Sequence, residues 1–317
     1  MSFPLTHGYD HINVVAELDP VAAVRDRELG DRMRDFSKLF PAGSPDFGLA
    51  VQTGAGWRID CAGDLDPSAA RYTLGHRLRA RAQEDPANAR AMLAAAGRLD
   101  PEEGEQLAKD EWEIGDRRYR VIRIEKFTLI GNGLMEPPRS TDAPHGRRDV
   151  LDGLALDPLA PAGLWEAQLR LNLAEHLPIP GTVPDIVRTE AMHAVRTHPG
   201  VVLLPPTFTV VEVEDGRWEP LTGGDDPLQA RDRLAGYFTG LLPRLREFHG
   251  DPAAPAEIAE WEAAAGEIRA SAGPVFTTLG RTFRTVRVSR MLRLGRDGPE
   301  APRPSDQERY GPAGTSG

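Results

Sequence analysis

The sequence predicts an α+β fold of two similar lobes, each an antiparallel sheet of about four strands backed by helices. Three observations predict it. Trp57 to Asp142 recurs, with a few gaps, as Trp218 to Asp306, and Phe47 and Phe208 each stand ten residues before their tryptophan. Pairs of strand-like runs about a glycine turn open and close each copy. Asp-Pro helix starts fall between them at matching places. A duplicated unit of this size folds into two lobes, and 317 residues suffice for two cores of about 150 residues each.

The elements follow in order. After Asp19-Pro20 the apolar residues Val21, Val24, Leu29, Met33, Phe36 and Leu39 predict a helix over 20–39. Phe47 to Val51, the turn Gly54-Ala55-Gly56 and Trp57 to Cys61 read as a hairpin. Asp66-Pro67 opens a helix carrying Ala70, Leu74 and Leu78, and a second hairpin runs over 112–114 and 119–125 around Gly115-Asp116. The other copy repeats the scheme. A helix over 184–197 precedes a hairpin, Phe208 to Val213 and Arg217 to Leu221; Asp226-Pro227 opens a helix with Ala230, Leu234, Phe238 and Leu241; Val275 to Leu279 and Phe283 to Ser289 close it. Asp85, Asp100, Asp157 and Asp251, each followed by Pro, are further candidate helix starts. Ile122 with Ile124, and Val286 with Val288, are read as core-facing, and Tyr119 with Arg123, and Phe283 with Arg287, as facing away. The expected domains are a first lobe over 1–142, a linker and inter-lobe helix over 143–182, a second lobe over 183–310, and a disordered tail over 311–317. Leu164, Trp165, Leu169, Leu171 and Leu173 give the inter-lobe helix, 164–177, a wide apolar face suited to burial.

Composition narrows the function classes. Apolar residues make up 40% and charged residues 27%, the balance of a globular protein. No stretch approaches the roughly 18 uninterrupted apolar residues of a membrane helix, and the first residues lack a secretory pattern, so a cytoplasmic location is expected. A net charge of −10 argues against general nucleic-acid binding. The local exception is a strip of arginines at every third position from Arg281 to Arg296. Lys38, Lys109 and Lys126 are the only lysines, and such heavy arginine usage is partly what GC-rich codons produce. Cys61 is the single cysteine, which excludes intramolecular disulfides and multi-cysteine metal sites.

Catalytic signatures are missing. No phosphate-binding loop, dinucleotide fingerprint, zinc-protease helix or nucleophile elbow occurs. His7 with His11 and His193 with His198 read as ordinary surface pairs, so no metal, cofactor or catalytic residue is expected. The sharpest local feature is the repeated loop Glu136-Pro-Pro-Arg139-Ser-Thr-Asp142 and Glu300-Ala-Pro-Arg303-Pro-Ser-Asp306. Its arginine between two carboxylates is read as a structural clasp; the rival reading is a recognition loop for an anionic group or partner strand. Arg123 beside Tyr119 and Arg287 beside Phe283 are the second candidates, as cation–π stacks or clamps for phosphate or carboxylate, against a solvated strand face paired to acids. Trp57 and Trp218 are read as core anchors. Arg71 and Arg231, each in the first turn of a helix, require a carboxylate partner because the dipole there disfavours a cation.

With the segment Arg290-Met-Leu-Arg-Leu-Gly-Arg-Asp-Gly-Pro-Glu-Ala-Pro-Arg-Pro-Ser-Asp306 and the run Arg196-Thr-His-Pro-Gly-Val-Val-Leu-Leu-Pro205 in view, the chain resembles a family of uncharacterised actinobacterial proteins, a domain of unknown function. The resemblance covers most of the chain. It implies a bacterial, cytoplasmic context and no catalytic residue.

These readings converge on a non-enzymatic binding or scaffolding protein that presents arginine-bearing faces and loops to an acidic protein partner. The binding residues would be Arg123, Arg139, Arg287 and Arg303, with Tyr119 and Phe283. The alternative is an enzyme or sensor for a small anionic metabolite held between the lobes. A deep cleft where arginines of both copies converge would favour the alternative; a flat arginine face would favour a protein partner. Nucleic-acid recognition by the strip from Arg281 to Arg296 is a third, weaker reading.

Overall fold

A computed structural model describes residues 12–54, 56–100, 106–142 and 151–306. The chain begins with β1 (Asn13–Val14), α1 (Pro20–Asp35), β2 (Lys38–Pro41), β3 (Asp46–Thr53), β4 (Gly56–Asp64), α2 (Pro67–Glu84), α3 (Ala89–Leu99), β5 (Glu111–Ile114), β6 (Arg117–Gly131) and β7 (Leu134–Met135). There follow β8 (Pro161–Ala162), α4 (Leu164–Ala174), α5 (Asp185–Thr197), β9 (Gly200–Glu214), β10 (Arg217–Gly224) and α6 (Pro227–Gly236). A π-helical turn (Tyr237–Leu241) leads into α7 (Leu242–Phe248), then α8 (Pro255–Ala270), β11 (Val275–Thr278), β12 (Arg281–Gly295) and β13 (Gly298–Pro299).

Three Asp-Pro pairs start helices as expected, because the aspartate accepts first-turn amides and proline has none to lose. Asp19 accepts from the N–H groups of Val21 and Ala22, Asp66 from Ala69, and Asp226 from Gln229. The others do not. Asp85 bonds Asn88 just beyond α2, Asp157 closes a turn on Leu159, and Asp251 lies in the coil before α8. Asp100 ends α3 and is followed by a residue outside the described set. An Asp-Pro pair caps whatever turn follows; an apolar helical face must come next before that turn grows into a helix.

The strands are longer than the sequence suggests, and apart from a short parallel pair, β1 with β8, they form one curled antiparallel sheet rather than one sheet per lobe. Its order is β10-β9-β12-β6-β3-β4, with β2, β5 and β7 also on β6, and β11 and β13 also on β12. This corrects the expectation of two separate lobes. β6 and β12 lie side by side at the centre, pairing Ser289 with Phe127, Arg290 with Lys126, Met291 with Glu125 and Leu292 with Ile124. Each needs its length because its first half completes its own hairpin and its second half completes the shared centre.

Helices cover both ends of the sheet. Under α2 and α3, Leu74, Leu78 and Met92 pack on Phe47 and Tyr119; under α6, the π turn and α8, Leu234, Phe238 and Trp261 pack on Phe208 and Phe283. At the centre both faces are buried. Ile122, Ile124 and Leu292 lie beneath the segment around Leu154 and Leu156, and on the reverse Phe127 and Met291 meet Leu29, Leu169 and Leu173. Tyr119 and Phe283, expected to face away from the core, are therefore 1% and 0% exposed. A strand in a two-sided sheet has no solvent face to offer.

Candidate functional site

The Pro-Arg loops cross over. The N–H of Arg123 on β6 donates to the carbonyl of Glu300 at 3.0 Å, and the N–H of Arg287 on β12 donates to that of Glu136 at 2.9 Å. Their side chains repeat the exchange. Arg123 Nε donates to Asp306 at 3.0 Å, and Arg287 Nε to Asp142 at 2.9 Å. The loop after β13 thus straps β6, and the loop after β7 straps β12. Within the loops, Arg139 Nε donates to Glu136 at 2.6 Å and its N–H to Asp142 at 2.9 Å; Arg303 Nε donates to Glu300 at 2.7 Å and its N–H to Asp306 at 2.7 Å. Ser140 and Thr141 bond Glu28 on α1, while Ser305 bonds Glu190 on α5. This is clasp geometry: each proline-stiffened loop anchors a buried glutamate, Glu136 or Glu300, and bonds a strand of the other half.

Tyr119 and Phe283 do not stack on Arg123 and Arg287. Four residues along a strand span about 13 Å, which puts the ring and the guanidinium of each supposed pair over different layers. Arg81 covers Tyr119 at 5.5 Å and Arg281 lies over Phe283 at 5.3 Å. Arg71 meets a carboxylate as required, Asp110 at 2.8 Å, but Arg231 finds the carbonyl of Ser271 instead. Trp57 is buried under Arg118 and Arg120, and Trp218 is half-buried. The arginine strip is not a surface stripe either. Alternation along β12 sends successive members to opposite faces, and Arg290 and Arg293 are buried.

One crossing carries a cleft, with a cavity of about 150 Å³. Its floor holds Arg123 from β6 together with Arg293 and Arg303 from the second copy, all around Glu125. The walls are mostly apolar: Phe127 and Met291 from the central strands, Leu173 from α4, Val183 and Ala191 about α5, and Phe40 at the open side. Arg123 donates to Glu125 at 2.7 Å, as does Arg303. Arg293, 2% exposed, reaches the cleft from behind: its amino nitrogens donate to the carbonyls of Ala174 and Leu173 at the end of α4, and its Nε lies 3.8 Å from Glu125 with no hydrogen bond. Burial would raise the Glu125 carboxyl, but the charges of Arg293, Arg123 and Arg303 outweigh it and hold the pKa at about 2. The group stays ionised and is no general base near neutrality. His176, on the same wall, is held below its ordinary range by burial, opposed by Glu125 and reinforced by Arg293.

At the other crossing the matched positions differ: Ser289 stands in the place of Glu125, and Leu129 in the place of Arg293. The sequence singled out Arg293 only as a member of the arginine strip, and Glu125 and His176 not at all; for Glu125 the available signal was an unlike residue, Ser289, at the matched strand position. Among the described residues no group of His, Cys, Asp and Glu is placed to hold a metal, and no helix is long and apolar enough to cross a membrane. His193 and His198 form no such group, and His7 with His11 lie outside the described residues.

A family model, described as a family of unknown function (DUF5954), matches residues 19–309. The chain belongs to DUF5954. That match spans both crossed loops of this DUF5954 chain and every residue lining its cleft. No curated protein and no solved structure matches it.

Proposed function

We propose that this protein is a non-enzymatic binding protein for a small anionic molecule, held in the central cleft. We infer further that its halves arose by internal duplication and that one of the two crossings specialised. The observation that carries the reading is the convergence of arginines from both copies, Arg123 with Arg293 and Arg303, on a single concave site. An acidic protein partner would need exposed cations. The Arg123, Arg139, Arg287 and Arg303 side chains are at most 11% exposed and already meet carboxylates. Thermal melts against a panel of small anions test the reading. A ligand at a hundredfold excess over its Kd adds about 2.7 kcal/mol and should raise the melting temperature by several degrees. The rise should vanish in Val183→Trp, which fills the cleft while leaving every arginine in the chain. A panel in which no anion shifts the melt would remove the proposal.

A further inference from the structure

Resting on that reading, we infer the class of ligand: a monocarboxylate with an extended apolar body, not a phosphate or a polycarboxylate. The argument begins with charge. Among the described residues, the three guanidinium groups of the floor, Arg123, Arg293 and Arg303, are matched by three carboxylates, Glu125, Glu300 and Asp306. Lys126 at the edge is likewise matched, by Asp46. The floor carries no net positive charge, so each negative charge on a ligand adds its own desolvation cost, and an ion bearing two or three is disfavoured more strongly than a monoanion held by hydrogen bonds.

Single donors do remain. Arg123 uses Nε and Nη1, and Arg303 uses Nε and Nη2, leaving one amino nitrogen of each without a partner among the described residues. Both arginines line the cleft, and a carboxylate is the head that accepts charge-assisted hydrogen bonds from guanidinium groups. Above that floor the surroundings are apolar. Phe127, Met291, Leu173 and Ala191 line the inner wall, and the line continues outward over Phe40 and Pro178. Phe40 is 49% exposed, so the apolar track reaches solvent, and the neighbouring Ile179 and Ile186 are exposed too. An acyl or aryl body laid along this track would cover surface that is otherwise open to water.

The test is isothermal titration of the intact protein with butanoate, hexanoate, octanoate and 4-phenylbutanoate, beside inorganic phosphate and citrate. Affinity should rise about threefold to fourfold per added methylene until the chain outgrows the track. Phosphate and citrate should bind at least a hundredfold more weakly than octanoate. Glu125→Gln removes the internal carboxylate and leaves a cation unmatched, so citrate and phosphate should gain at least tenfold there. Phosphate or citrate binding the wild type as tightly as octanoate, with no dependence on chain length, would overturn the ligand class while leaving anion binding in place. If no probe binds, both inferences fall. Should Glu125→Gln fail to fold, the chain-length series on the wild type and its loss in Val183→Trp still decide.

Discussion

Lys126 and Arg290 stand directly opposite one another on the two central strands. They hold matched positions in the two copies, and the pairs on either side, Phe127 with Ser289 and Glu125 with Met291, mirror each other about them. Like charges facing across a sheet are destabilising unless each has its own partner. Lys126 has Asp46 at 2.5 Å, and Arg290 donates to the carbonyl of Pro205 at 2.8 Å. The centre of the molecule is therefore where β6 and β12 meet, and the crossed loops lie on either side of that pairing.

Removing a strap arginine should cost more than a surface ion pair does. Arg139→Ala takes from the fully buried Glu136 its hydrogen-bonded cation, and Arg303→Ala does the same to Glu300 and also strips Glu125 of a partner. About 3 kcal/mol is expected for Arg139→Ala and more for Arg303→Ala. Urea unfolding followed by tryptophan fluorescence reads both; a loss under 1 kcal/mol for either would mean that the clasp is incidental.

The strap between halves should show as coupling. In a double-mutant cycle of Arg287→Ala and Asp142→Ala, residues that bond at 2.9 Å should interact by about 1–3 kcal/mol. Additive effects would show that the crossing contributes nothing of its own.

Acid should unfold the protein partly through Glu125. Its carboxyl is lowered from 4.5 to about 2 in the fold, so its contribution is complete above the ordinary carboxylate range and is lost as pH falls through about 2. His176 and His198, both held below 6.5 chiefly by burial, work in the same direction, since the unfolded chain takes up protons more readily below that pH. Urea midpoints between pH 7 and pH 2 should fall throughout, and the fall below pH 4.5 should be shallower in Glu125→Gln. An unchanged slope in that variant would rule Glu125 out as a contributor.

Cys61 should be inert. Burial, with Asp60 and Asp64 nearby, pushes its thiol up to about 12, so little thiolate exists at pH 8. Ellman's reagent should label the native protein far more slowly than the unfolded chain, and Cys61→Ser should change stability by less than about 1 kcal/mol. Excess EDTA should leave the melting temperature where it was.

One turn carries removable strain. Leu279 sits at φ +51° before Gly280, in the position that Asp215 fills before Gly216 and Asn132 before Gly133 in other hairpins. A leucine there costs more than asparagine does, so Leu279→Asn should stabilise by about 0.5–1 kcal/mol, read as a higher urea midpoint.

The sequence by itself determined the local elements and their order. Asp19, Asp66 and Asp226 cap real helices, the hairpins close where their glycines stand, and Trp57 and Trp218 hold the same place in their hairpins, paired with Gln52 and Val213. It also contained the clasp, because Glu136, Arg139 and Asp142 meet within one short loop. Tertiary structure decided what those loops hold. Arg123 meets Asp306, and Arg287 meets Asp142, across the join of the two halves, and no local pattern distinguishes a strap on its own strand from a strap on the other. It also decided that Tyr119 and Phe283 are core. Period-two alternation tells which residues share a face, but not whether helices cover both faces. The cleft was the least legible feature. Glu125 and Arg293 come together only because β6 and β12 pair at the centre, and that register depends on long-range packing that the spacing of residues along the chain does not record.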